Sequence, residues 1–167
     1  GGHARIRPGS SHRAPRESKM VTPITPTDFG ATAGLLRSEM RGGGHTTVDA
    51  LRADHTRPHW VGLVQRTDEG VVGALIGQCV LDEAEIHEVA VHAAHRRKGV
   101  ATLLLDAFLH EVRRRGATIC RLEVRRTNAS AMAFYRQHGF KQSGLRTAYY
   151  ADGEDALLLQ KPLEPIS

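Results

Sequence analysis

Apolar residues at Ala101, Leu104, Leu105, Phe108, Leu109 and Val112 recur at intervals of three and four, with Thr102, Asp106, His110 and Arg113 between them. This predicts an amphipathic helix packed on a core by one face. Arg113 to Arg115 suit the negative end of its dipole, and Gly116 can take the left-handed position just beyond it. The arginine run therefore reads as a helix terminus in preference to a nucleic-acid patch. Upstream, Thr27-Asp28 precedes a helix running to about Met40 and closed by Gly42-Gly43-Gly44, and Thr47 to Ala53 forms a weaker second helix. His59 to Gln65 and Val71 to Leu81 read as strands joined by the hairpin-like turn Asp68-Glu69-Gly70. Downstream, Asn128 is a plausible N-cap for a short helix, Ala129 to His138, stopped by Gly139.

Two further strands differ in the regularity of their pattern. Along Thr118 to Arg125, Thr118, Cys120, Leu122 and Val124 point one way and Ile119, Arg121, Glu123 and Arg125 the other. Along Glu85 to Val91 the alternation breaks, because Ile86 is apolar at an even position whereas Val89 and Val91 are apolar at odd ones. A one-residue slip of phase within a strand is the mark of a β-bulge, although a plain edge irregularity gives the same pattern. Strands alternating with helices and no internal repeat predict a single α/β domain.

Charge at first points elsewhere. The chain of 167 residues carries a formal net charge of +5, a balance that could suggest a nucleic-acid partner. Arg5, Arg7, Arg13, Arg16 and Lys19, set against Glu17, account for most of that excess, so the rest is nearly neutral and no direct nucleic-acid partner is expected. Residues 1–20 are rich in Arg, Ser, Pro and Gly without an apolar run; they read as a disordered leader, either an expression leader or a transit-like extension, with Met20 as a native start and 21–167 as the domain. No secretory h-region and no membrane-length apolar run is present, and Cys79 and Cys120 sit singly in strand-like segments. These features predict a cytoplasmic protein, or an organellar one if the leader is a transit remnant, with no membrane partner.

The candidate chemistry begins at Arg96-Arg97-Lys98-Gly99-Val100-Ala101, which links the apolar run Val89-Ala90-Val91 to the long helix. Helix-start amides have no intrahelical acceptor and carry the positive end of the dipole, so a basic, glycine-containing turn before them can seat a phosphate; it can equally be a solvated chain reversal. Further along come Leu122-Glu123-Val124-Arg125, Asn128, Tyr135 and Gly139-Phe140. The two stretches in this order, Arg96 to Ala101 and Leu122 to Phe140, resemble the GNAT family of acetyl-CoA-dependent N-acetyltransferases, and within it the RimI type, the ribosomal-protein-alanine N-acetyltransferases. Weaker similarity reaches back to Val80-Leu81-Asp82-Glu83-Ala84 and on to Tyr149-Tyr150.

The resemblance implies an α/β fold with a mixed, mostly antiparallel central sheet flanked by helices. It also implies a bulged strand that splays from its neighbour, so that the pantetheine arm enters beside Val89, Ala90 and Val91. Acetyl-CoA is then the co-substrate, with its diphosphate on Arg96, Arg97, Lys98, Gly99, Val100 and Ala101 and its pantetheine arm near Asn128. Glu123 becomes the general base and Tyr135 the general acid, and the acceptor a protein or peptide N-terminus such as the alanine of ribosomal protein S18. On its residues alone, Glu123 reads first as an ion-pair partner of Arg121 or Arg125, and Tyr135 as a core aromatic. Tyr149 and Tyr150 are candidate walls of an acceptor groove; neighbouring strand residues face opposite ways, so one would line it and the other join the core. Acetylation of a small amine or a lysine, or acyl-CoA binding without catalysis, are the other readings. His92-x-x-His95 has no Cys or acidic cluster at ligand spacing and reads as loop histidines, with no metal expected.

Overall fold

The computed structural model describes residues 20–40 and 43–166. The leader's expected disorder and the part of the glycine run at Gly42 lie outside the described residues. Seven strands form one sheet in the order β1-β2-β3-β4-β5-β7-β6: β1 (Val21–Pro23), β2 (Trp60–Thr67), β3 (Gly70–Val80), β4 (Glu83–Val91), β5 (Ile119–Arg125), β6 (Lys141–Arg146) and β7 (Ala156–Pro162). All neighbours pair antiparallel except β4 and β5. That parallel pair needs a crossover, which α3 (Val100–Arg114) supplies. Helices α1 (Phe29–Glu39) and α2 (Val48–Asp54) precede β2, and α4 (Ala129–Gln137) follows β5.

Each face of the sheet carries its own apolar cluster. Leu104, Leu105, Phe108 and Val112 of α3 pack with Leu75, Cys120, Leu122 and Leu159 on one face; Ala33 and Leu36 of α1 pack with Val64, Ala74 and Ile76 on the other. The predicted α3 stripe is thus the buried one, with Val100 buried and Ala101 only half-buried. Full burial of such side chains contributes about 1.5–3 kcal/mol each, so α3 is held by packing more than by propensity. Its end is as read: Gly116 has φ +99°, Arg113 donates to the Glu164 carbonyl, and Arg114 and Arg115 both pair with Glu111.

The broken alternation in β4 is a bulge. Ile86 lies opposite Gly77 and Glu88 opposite Ile76, so His87 has no opposite number in β3. Ala84 and Ile86 join the α3 cluster before it; after it Val89 and Val91 pack against that cluster, while Ala90 turns to the α1 side. Pairing between β4 and β5 stops at Ile86 and Leu122. From His87 onward the two strands part, and the β5-facing edge of Val89–Val91 has no strand partner. The expected mixed, splayed sheet is therefore present, while β1, β6 and β7 are strands the sequence pattern did not announce.

Candidate active site

The strand that turns at the bulge, the helix that follows it and α4 enclose a cleft of about 1000 Å³. Its lining includes Val89, Ala90 and Val91 from the open edge of β4, Arg96, Arg97, Gly99, Val100 and Ala101 from the turn into α3, and Asn128 and Tyr135 from the far side. Arg97 (φ +63°) and Gly99 (φ +82°) are both left-handed, and the chain turns sharply there just before the helix. Gly99 is the N-cap, and a Cβ built on it would meet no atom within 4 Å: the space above the helix start is open. An anionic diphosphate fits such a cradle.

The basic side chains of the turn are not equivalent. Arg96 lines the cleft while pairing with Glu39 at 2.7 Å and donating to the Val91 carbonyl at 3.3 Å, so it fastens α1 to the end of β4. Lys98 is absent from the cleft lining, which includes Arg97 and Gly99. Arg96 and Arg97 thus both line the cleft, Arg96 while paired with Glu39, and Lys98 is exposed at the same turn. His92 and His95 are occupied structurally: His92 Nδ1 accepts from the Ala94 amide at 3.1 Å, and His95 lies 2.8 Å from Glu69.

A smaller cleft of about 230 Å³ opens on the other side of the splay. Val89, Asn128, Ala131 and Tyr135 line both, so the two spaces meet where β4 and β5 separate. Asn128 is the N-cap of α4, its side-chain oxygen accepting from the Ala131 amide at 3.2 Å, which fixes the residue at this junction. Tyr135 is almost wholly enclosed among Phe134 and Phe140, with ring centroids 5.2 and 5.4 Å away, and burial pushes its phenol pKa up. Burial in the core and presence at the junction coexist in this residue.

Glu123 lines the smaller cleft, half-buried, and its Oε2 is enclosed without a hydrogen-bond partner. The ion-pair alternative has no counterpart here. Arg121 pairs instead with Glu83, and Arg125 with Asp152 at 2.8 Å and Glu154 at 3.0 Å. The Arg125 pairs, with Arg126 to Asp155 and the Thr127 amide to Glu154, bind the β6–β7 loop across the end of β5.

Tyr149 and Tyr150 belong to that loop, not to a strand, so facing rules for strands do not govern them. Tyr150 lines the smaller cleft beneath the Arg125 guanidinium, 4.1 Å from its ring centre. Tyr149, expected in the core if its neighbour lined the groove, is instead 48 % exposed, and the Glu123 carboxylate, as acceptor and as negative charge, raises its phenol pKa.

Sequence reasoning missed Glu39, which lines both clefts, and Glu88, which lines the smaller one. The signal for Glu88 was present in the phase slip itself: a bulge at His87 turns residue 88 inward, and an acidic residue there is 7 % exposed.

Comparison with known proteins agrees with this architecture. The profile of the acetyltransferase (GNAT) family matches residues 32–140. Ribosomal protein bS18-alanine N-acetyltransferase of Escherichia coli (strain K12) is 39% identical over 103 residues, 59% of this chain and 70% of that protein. The N-alpha-acetyltransferase of Saccharolobus solfataricus is 40% identical over 82 residues, 48% of this chain and 49% of that protein. Among solved structures, the ribosomal-protein-S18-alanine N-acetyltransferase from Escherichia coli superposes with a TM-score of 0.78 at 26% identity, covering 89% of this chain and 96% of that one. Nourseothricin acetyltransferase superposes with a TM-score of 0.61 at 32% identity, covering 64% of this chain and 67% of that one. The chain belongs to the acetyltransferase (GNAT) family and is an N-acetyltransferase that uses acetyl-CoA.

Proposed function

We propose that the acceptor is the free α-amine of a protein N-terminus, of the ribosomal protein S18 alanine type, and that acetyl passes to it directly. The observation that carries this reading is the meeting of the two clefts at Val89, Asn128, Ala131 and Tyr135, with Glu123 on the acceptor side. An α-amine of pKa about 7.7–8.0 is largely protonated at neutral pH, so it must lose a proton before it can attack. Glu123, directly or through water, takes that proton. The freed lone pair attacks the thioester carbonyl carbon, a C–N bond forms and the C–S bond breaks. Amides on the unpaired edge of Val89–Val91 stabilise the oxyanion, Tyr135 gives its phenolic proton to the departing thiolate, and the second proton shed by the acylated nitrogen restores the phenol through water, while Glu123 returns the first to solvent. No covalent enzyme intermediate is needed, and the thiols are poorly suited to one: burial pushes Cys120 up to about 12.

The N-terminal acceptor is supported by the relatives described above and by the tyrosine-bearing loop that closes one side of the smaller cleft. A small-amine acceptor is the second reading, favoured by the likeness to nourseothricin acetyltransferase. A peptide beginning Ala-Arg, its twin with a blocked α-amine, a polyamine and an aminoglycoside separate the two. Mass spectrometry is expected to find acetyl only on the α-amine of the first peptide. Turnover of the small amines with none on any free peptide N-terminus would overturn the N-terminal reading.

A further inference from the structure

The glycine run and Glu88 meet in space. The Glu88 carboxylate accepts from the His45 amide at 2.8 Å, the Thr46 amide at 3.1 Å and the Thr46 hydroxyl at 2.5 Å. These bonds cross the sheet's α1 side, joining β4 just after its bulge to the segment between α1 and α2. The backbone comes very close there: a Cβ on Gly44 would lie 2.8 Å from the Leu36 carbonyl oxygen and 2.9 Å from Glu88 Oε1. Gly43, His45 and Glu88 all line the smaller cleft.

Resting on the acceptor assignment of that cleft, we propose that Glu88 is a positioning residue that sets how the acceptor is received, by holding Gly43–Thr46 as one wall of the groove. The wall is built from irregular backbone, which has no ladder of its own to fix it. One carboxylate occupies two amides and a hydroxyl at once, and its burial makes those bonds strong and their loss costly. The bulge is what places it. Without the extra residue at His87, position 88 would face the α3 cluster, away from the groove wall. The glycine at 44 completes the fit, since any side chain would push the wall off the carboxylate.

The test is steady-state kinetics of Glu88→Ala and Glu88→Gln with acetyl-CoA and acceptor varied separately, together with hydrogen exchange at the His45 and Thr46 amides. The acceptor is the one that the wild-type enzyme turns over in the assay above, peptide or small amine. In Glu88→Ala, KM for the acceptor is expected to rise roughly tenfold as the two amides lose their partner, with KM for acetyl-CoA within about twofold of wild type. Both amides should exchange faster in the same variant. Glu88→Gln keeps an acceptor oxygen and should recover most of the acceptor KM and of the protection. Unchanged acceptor KM in Glu88→Ala, or equal increases in both KM values, would overturn the proposal. Failure of every peptide as acceptor would instead count against the N-terminal reading alone, because the two KM values are still read with the amine that works.

Discussion

The two clefts that meet at Tyr135 are built in different ways. The larger one is anchored by the stretch Arg96 to Ala101, of which all but Lys98 line it and whose left-handed turn at Arg97 and Gly99 runs straight into α3. The smaller one is assembled from the α1–α2 segment, the bulge of β4, β5, α4 and the β6–β7 loop, through contacts such as Glu88 to His45, 43 residues apart. A site built from local backbone tolerates loss of a side chain but not of a backbone conformation. A site built from distant side chains does the reverse, and it can change its acceptor while its cofactor turn stays the same.

The largest effect expected lies in the assembled cleft. Glu123→Gln should lower turnover by roughly 10²-fold or more near neutral pH, the scale of a lost general base. The sign with pH follows from the acceptor: as pH rises through an α-amine pKa of about 8, more of the amine is already deprotonated and the variant recovers part of its rate. A pH–rate profile of the variant against wild type checks it, and a constant ratio at every pH would remove Glu123 from the proton transfer.

Next comes the locally built cleft. Gly99 has φ +82° with open space where a Cβ would go, so Gly99→Val costs the fold only left-handed strain, about 1–2 kcal/mol. The new side chain occupies the space offered to the diphosphate, and acetyl-CoA affinity should fall by roughly thirtyfold, as a few lost amide–anion bonds imply. Calorimetry on a variant with a native melting transition is the measurement. Unchanged affinity would mean that the cofactor does not sit on this turn. Arg96→Ala gives the contrast: with Arg96 already paired to Glu39, its loss should disturb the α1 contact more than the diphosphate.

At the junction, Tyr135→Phe keeps the ring contacts with Phe134 and Phe140 and removes only the hydroxyl. Turnover should drop about tenfold with little change in acetyl-CoA affinity, the signature of a group that acts on the leaving thiolate. Because burial raises the phenol pKa, Tyr135 stays protonated up to and beyond its ordinary 10.0, and no alkaline limb in the rate below that pH should belong to it. Equal losses in affinity and turnover would make Tyr135 a packing residue only.

The same contrast explains what could be read from the chain. The α3 stripe, its Arg113–Gly116 end, the Asn128 cap and the phase slip in β4 all depend on neighbours within a few positions, and each is found where periodicity or turn chemistry put it. β6 and β7 escaped because neither declares itself locally: β6, Lys-Gln-Ser-Gly-Leu-Arg, is a mostly exposed edge without alternation, and β7 is defined by its pairing with β5 and β6. Tyr149 and Tyr150 were assigned strand geometry that their loop does not have. The ion pair expected of Glu123 is missing because Arg121 and Arg125 are taken by Glu83, Asp152 and Glu154, choices that only the folded chain makes. Propensity and pattern see neighbours in sequence; the smaller cleft is made of neighbours in space.

The smallest effect tests whether that cleft is assembled one hydrogen bond at a time. Tyr149 is about half exposed, and the Glu123 carboxylate, as acceptor and as negative charge, raises its phenol pKa above 10.0. A raised folded-state value means that any stability from the contact is present below pH 10 and is lost as pH climbs through the higher value. Glu123→Gln removes the charge and leaves at most a neutral acceptor, so Tyr149 should titrate closer to 10.0 in that variant. Ring-labelled tyrosine NMR, with the Tyr149 signal assigned through Tyr149→Phe, follows it separately from Tyr135 and Tyr150. Tyr135, whose phenol is raised by burial first, should titrate as before. If Tyr149 also stays where it was, the loop is held over β5 by its arginine pairs alone, and the tyrosine is no part of the environment of Glu123.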